Sequence, residues 1–149
     1  MTPQTHISSP LRAADALAAL VNASGIITSS ACVVSLAPRV CEADDGEIQP
    51  ALFAIPTSLS TDRATRTSVG RDMSVALVLI SPVADENAAK TLLADLQAVA
   101  DDVIAEGVSS GVAFKSYAAN ELFDAELLVE QSILRAQIDF ACFMLEGLP

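Results

Sequence analysis

From Ile133 to Met144 the chain alternates: Leu134, Ala136, Ile138, Phe140, Cys142 and Met144 are apolar, with Arg135, Gln137 and Asp139 between them. Successive side chains of a strand point to opposite faces, so this period of two predicts a strand with one face on a core and the other toward water or a partner. A single strand cannot bury such a face by itself. The rest of the chain has to supply paired strands and a layer to cover them.

Two apolar runs of strand length provide the pairing, ALFAIPTSL at Ala51–Leu59 and MSVALVLISPV at Met73–Val83, and together they predict a long hairpin. Pro56 lacks a ladder donor, so the first of these strands is expected at a sheet edge or with a bulge there. IITSSACVVSL, at Ile26–Leu36, is rich in β-branched residues and ends near Pro38, which predicts another strand. The acidic CEADDGEIQP that follows reads as an exposed loop without calcium-ligand spacing.

Two amphipathic helices are expected to cover the sheet. Pro10 suits a first helical turn, and Leu11, Ala14, Leu17, Ala18 and Val21 recur at helical spacing until Ser24-Gly25. Asp85 is a good N-cap for a helix with Leu92, Leu93, Leu96, Val99, Ala100, Val103 and Ile104 on one face, ended by Gly107. VSSGVAFKSYAANELF then reads as an irregular connection holding a strand fragment or a helical turn. The expected fold is α+β: a mostly antiparallel sheet of about four strands, two helices packed on one face, and a long projecting β-hairpin.

At 149 residues this is read as one domain, with 1–9 a flexible N-terminal tail and 10–145 the folded part. Apolar residues make up 52% and charged residues 18%. So low a charged fraction in a small chain implies that another subunit covers part of the surface. Nineteen acidic against eight basic side chains give a net charge of −11, which repels nucleic acid and anionic membranes at long range. Cys32, Cys41 and Cys142 form no CxxC pair and fit free thiols in a reducing compartment. The N-terminal residues lack a signal-peptide pattern and no apolar stretch reaches about 18 residues, so neither a leader nor a membrane span is expected.

Catalytic chemistry finds little support. The only histidine, His6, lies in the tail without an apolar anchor, and no cysteine has a neighbouring base. One histidine and scattered cysteines do not make a zinc site, and no phosphate-binding glycine loop occurs. The expectation is a protein that is not an enzyme, with no cofactor and no metal. Asp101, Asp102 and Glu106 read first as a solvated helix face; because acids are unfavourable at a helix C-terminus, the alternative reading is a surface that meets a basic neighbour.

Such a basic segment exists: Arg63, Arg66 and Arg71, three of the six arginines, fall within nine residues in STDRATRTSVGRDMSVALV. With the apolar strand ending near Pro56 before it and the alternating strand after it, this segment is similar to a pattern in the tail-terminator, or tail-completion, proteins of long-tailed bacteriophages. DENAAKTLLADLQAVADDVIAEG matches that family's following helix in place, length and polarity. LFDAELLVEQSILRAQIDFACFML resembles its aromatic-Asp start, Leu pair and final strand, and LRAADALAALVNAS its first helix. The match covers most of residues 10 to 145. It departs at Ile80-Ser81-Pro82-Val83, where relatives carry basic or polar residues, and at Ile133, where an aromatic is expected.

The resemblance implies a structural protein of the virion neck, assembled in the host bacterial cytoplasm. It would form a homo-oligomeric ring, expected to be a hexamer, that caps the tail tube and joins it to the head connector. The implied partners are copies of itself, the tail tube protein and the head connector or stopper protein, with DNA only passing through the lumen and no membrane. Ring contacts are heterologous, one patch meeting a different patch on the next copy. The hairpin bearing Arg63, Arg66 and Arg71 is therefore expected to reach an acidic surface, either Asp44, Asp45 and Glu47 of the loop or Asp101, Asp102 and Glu106 of the second helix. Against this stands the plainer reading that the arginines keep an exposed hairpin soluble. The rival function is a small cytosolic ligand-binding or regulatory α+β domain, which would show a concave pocket with convergent polar groups.

Overall fold

The computed structural model describes residues 8–42 and 46–147, so His6, Asp44 and Asp45 lie outside the described residues. Within them the chain is an α+β fold of three helices and a six-stranded mixed sheet, with a separate two-stranded ribbon.

Helix α1 (Ser9–Ser24) starts at Ser8, whose hydroxyl accepts from Leu11 N at 3.4 Å, and carries Pro10 in its first turn. It ends at Gly25, whose φ of 66° places it in the left-handed region that glycine enters without strain. Ala13, Ala14, Leu17, Ala18 and Val21 form its buried stripe. Strand β1 (Cys32–Val34) follows and pairs in parallel with β4 (Ala51–Arg63). The strand expected over Ile26–Leu36 is thus shortened to three residues. Its Ser- and Thr-rich start favours local side-chain hydrogen bonds over a ladder. The Asn22 amide bonds both backbone groups of Cys32, accepting from N at 2.7 Å and donating to O at 3.0 Å, and so finishes the strand's outer edge.

Strands β2 (Cys41–Glu42) and β3 (Ile48–Gln49) form the ribbon where only a loop was expected. β4 and β5 (Ser68–Pro82) make the expected hairpin, with a register shift at Pro56, just past the end of β1. Of the two expectations for Pro56 the bulge is the one met, since β4 is an inner strand between β1 and β5, although β1 stops short of Pro56. Helix α2 (Glu86–Glu106) begins at Asp85, whose carboxylate accepts from Ala88 N at 2.8 Å, and ends where Gly107 N donates to Val103 O at 3.0 Å.

The stretch expected to be irregular contains two strands and leads into a third helix. β6 (Val108–Ser109) and β7 (Val112–Ala118) are joined by Ser110 and Gly111, at φ 51° and 81°. Two consecutive positive φ values make a primed hairpin turn, whose twist suits the flanking strands. Helix α3 (Ala125–Gln131) starts at Asp124, which accepts from Leu127 N at 3.1 Å. β8 (Ile133–Gly147) completes a sheet of order β1-β4-β5-β8-β7-β6, antiparallel except at β1. The four-strand, two-helix expectation is corrected accordingly, because short elements carry too little periodicity to stand out.

The even-numbered residues of β8 that alternate in the sequence, Leu134 to Met144, all lie in the main core with Leu77 and Leu79 of β5 and the buried stripes of α1 and α2. Burying each such large side chain is worth about 1.5–3 kcal/mol. A second cluster on the other face joins Phe53, Ile55, Val78, Ile80 and Ile133, packed by Ile48 of β3 and Leu127 of α3. β5 is thus covered on both sides over Val75–Ser81, which explains its unbroken apolar run.

Beyond this covered half, β4 is exposed from Thr57 to Arg63. The hairpin is not a free two-stranded projection. β8 pairs with β5 along its whole length, from Pro82↔Ile133 to Ser68↔Gly147, so the extension has three strands up to its turn.

Candidate assembly surface

The three arginines occupy different positions on the hairpin. Arg63 ends β4, Arg66 lies in the connection and Arg71 belongs to β5. Arg71 is tied within its own chain. Its Nε donates to Glu146 Oε2 at 2.7 Å and its guanidinium to Thr61 Oγ1 at 3.1 Å, while Arg12 of α1 donates to the other Glu146 oxygen at 2.7 Å. The Arg71 hydrogen bond, seconded by the charges of Arg71 and Arg12, holds the Glu146 carboxyl below its ordinary pKa. This triad pins the end of β8 and the base of the turn to the start of α1.

Arg63 and Arg66 are exposed, and among the described residues neither side chain has an ion pair or hydrogen bond. The turn itself is ordered by Ala64 N and Thr65 N donating to Ser68 O, and by a Thr65–Ser68 hydroxyl contact of 2.7 Å. Two exposed guanidinium groups without a partner among the described residues thus sit at the end of a braced three-stranded extension.

The acidic candidates divide. Glu47 is exposed beside β3. Asp101 accepts the Tyr117 hydroxyl at 2.5 Å, which raises the tyrosine pKa and joins α2 to β7. Asp102 and Glu106 are exposed and line a notch of about 180 Å³ with Leu20, Ala23 and Ser24 of α1. The fold brings none of these acids to Arg63, Arg66 or Arg71 of the same chain.

The acid that does meet Arg71, Glu146, was missed by sequence reasoning. Its signal was parity: it continues the even-numbered set that faces the core, and a carboxylate on that face needs a basic partner. On the opposite face, Lys115 lies 3.4 Å from Asp72 and 4.8 Å from the centroid of Phe143. Leu145 of that face is left 59% exposed, an apolar contact available to a partner.

A cleft of about 420 Å³ between α2 and β7 is lined by Leu93, Ala94, Gln97, Tyr117, Leu122 and Ile138. Its polar groups are the Gln97 amide and Tyr117, whose hydroxyl is already committed to Asp101. Among the described residues, no three His, Cys, Asp or Glu side chains gather to hold a metal ion, and no helix is long and apolar enough to cross a membrane. Burial alone raises Cys32 to about 12, and burial seconded by Asp72 raises Cys142 to about 11, so both thiols are protonated at neutral pH.

Comparison of the chain with protein-family models and with curated proteins finds no match.

Proposed function

We propose that this chain is a structural protein of the neck of a long-tailed bacteriophage, a subunit of the ring that caps the tail tube and joins it to the head connector. The observation that carries the reading is the placement of Arg63 and Arg66, exposed and unpaired at the end of the β4–β5 hairpin, in a chain whose net charge is −11. Those positions coincide with the arginine-rich turn of the tail-terminator pattern that the sequence resembles. Cations of this kind on an acidic molecule serve recognition of an acidic surface better than they serve solubility, which the excess of carboxylates already supplies. The core is complete without them, so they are free to act between subunits.

The ring is heterologous, six copies each presenting the hairpin to a different surface of the next. Copies, tube protein and head-side connector are the partners, and DNA passes through the lumen. The test adds the purified chain to polymerising tail tubes of the phage or prophage that encodes it, with negative-stain imaging. Annular caps at tube ends and tubes of limited length are expected. Uncapped tubes of unlimited length, with the chain still monomeric, would sink the proposal.

A further inference from the structure

The hairpin turn and the opposite end of the sheet complement each other in charge, and they cannot meet within one molecule. β5 runs from Ser68, beside the turn, to Pro82, about 45 Å of extended strand at roughly 3.3 Å per residue. At the Pro82 end the chain turns directly into α2, and α3 packs alongside through Val83 N donating to Ser132 O at 3.0 Å. Between these elements lies a groove of about 240 Å³ lined by Val83, Ala84, Asp85, Glu86, Leu128 and Val129.

Val129 is 81% exposed, the most exposed of the large apolar side chains among the described residues. Beside it α3 carries Glu126 and Glu130, both exposed. Against these four acids α2 contributes one base, Lys90. Arg135 lines a separate cleft with Glu121 and Asp124. The α2 N-terminus adds only about half a positive charge, less than the Asp85 and Glu86 carboxylates together, so the groove mouth stays negative.

We infer that this groove is the docking site for the hairpin turn of a second copy of this chain, with Arg66 seated in it. An arginine suits both halves of the site. Its methylene stem packs on Val83, Leu128 and Val129 while its guanidinium reaches Glu86 and the oxygen of Asp85 not used in capping. Arg63, at the end of β4, meets Glu126 or Glu130. The contact is head to tail, because the two patches lie at opposite ends of one rigid strand, and it closes into a ring when the rotation between copies fits. The inference rests on the ring reading for closure only; the contact between copies stands on charge and shape.

Two cysteine variants test it, Ala64→Cys in the exposed turn and Val129→Cys, each with Cys41→Ser and with Cys32 and Cys142 buried, mixed on tail tubes and treated with a short bismaleimide. Both substitutions are at exposed positions, so folding is preserved. A covalent dimer joining one chain of each kind is expected, without dimers of either kind alone. In parallel, Arg66→Glu is expected to weaken association at least tenfold and Glu86→Lys in the partner copy to restore it. Capped tubes without the mixed cross-link, or cross-linking of Ala64→Cys to the tube protein instead, overturn the contact and leave the ring intact. Mixed dimers in open filaments that never cap a tube support the contact and overturn the ring.

Discussion

Glu146 shows how one side chain can organise the end of a fold. It accepts from Arg71 and Arg12 at 2.7 Å each, and those bonds hold its pKa below the ordinary carboxylate value. A depressed folded-state pKa means that the stabilisation is fully present above the unfolded pKa of about 4.3 and is lost as pH falls through the folded value. Glu146→Gln should therefore lower stability by about 1 kcal/mol at pH 7, given two partly exposed pairs. In urea titrations the gap to the unmodified chain should shrink as the pH is taken down from 7 through the acidic range; a gap unchanged by acidification would refute the charge argument. The buried thiols lead to a second expectation. With Cys32 and Cys142 raised to about 12 and 11, neither should react with a disulfide reagent in the native protein at pH 7.5, and both should react in 6 M guanidinium. Fast native labelling of either, followed by peptide mapping, would contradict the burial assigned to it. Of these residues, Cys32 and Cys142 fall within the strand-like apolar runs that the sequence shows, and both are buried. Glu146 escaped notice because its partners Arg71 and Arg12 are distant along the chain, and only the register Val69↔Glu146 brings them together.

Elements with a long period were readable, and short ones were not. α1, α2, β4, β5 and β8 each carry enough residues for a 3.6- or 2-residue pattern to repeat, and their caps are local signals at Ser8, Asp85, Gly25 and Gly107. α3 has only seven residues, too few to be stable alone, and it holds because Leu127 and Leu128 reach the two separate apolar clusters. Its start signal, Asp124 three residues ahead of Leu127, was present within the FDAEL stretch. The β6–β7 turn was marked by Ser110-Gly111, but a two-residue strand in front of it gives no alternation to recognise. β1 depends on a tertiary contact, the Asn22 amide bonded to both backbone groups of Cys32. Asn22→Ala is thus expected to cost about 1–3 kcal/mol, the usual loss when partly buried backbone groups lose their partners. It should also raise amide exchange at Val33 and Val34 selectively; uniform destabilisation without that local change would show that Asn22 acts elsewhere. The candidate surface follows the same division. The arginine cluster was visible because it is contiguous in sequence, whereas the groove opposite it is assembled from the start of α2 and the end of α3, more than forty residues apart.

For the whole molecule the question is whether the arginine cluster addresses protein or DNA. Three arginines within nine residues resemble a phosphate-binding patch when counted alone. In the fold, Asp62 and Asp72 flank them on the same hairpin and leave one net positive charge, and adding the Arg12–Glu146 pair does not change it. Arg71 is spent on Glu146, so no more than two guanidinium groups remain to neutralise phosphates. Nonspecific affinity scales with the number neutralised, and each contributes a slope of about −0.9 in log K against log salt. Two contacts, opposed by a molecular charge of −11 that a Debye length of about 8 Å only partly screens, give negligible binding at physiological salt. The chain should therefore leave duplex DNA unretarded in gel shifts at 150 mM NaCl, even at tens of micromolar protein. Arg63→Glu with Arg66→Glu should not change that result, although the same pair abolishes the association between copies. Retardation with a slope steeper than about −2 would require a larger basic surface than these arginines provide, and would return the cluster to nucleic-acid recognition.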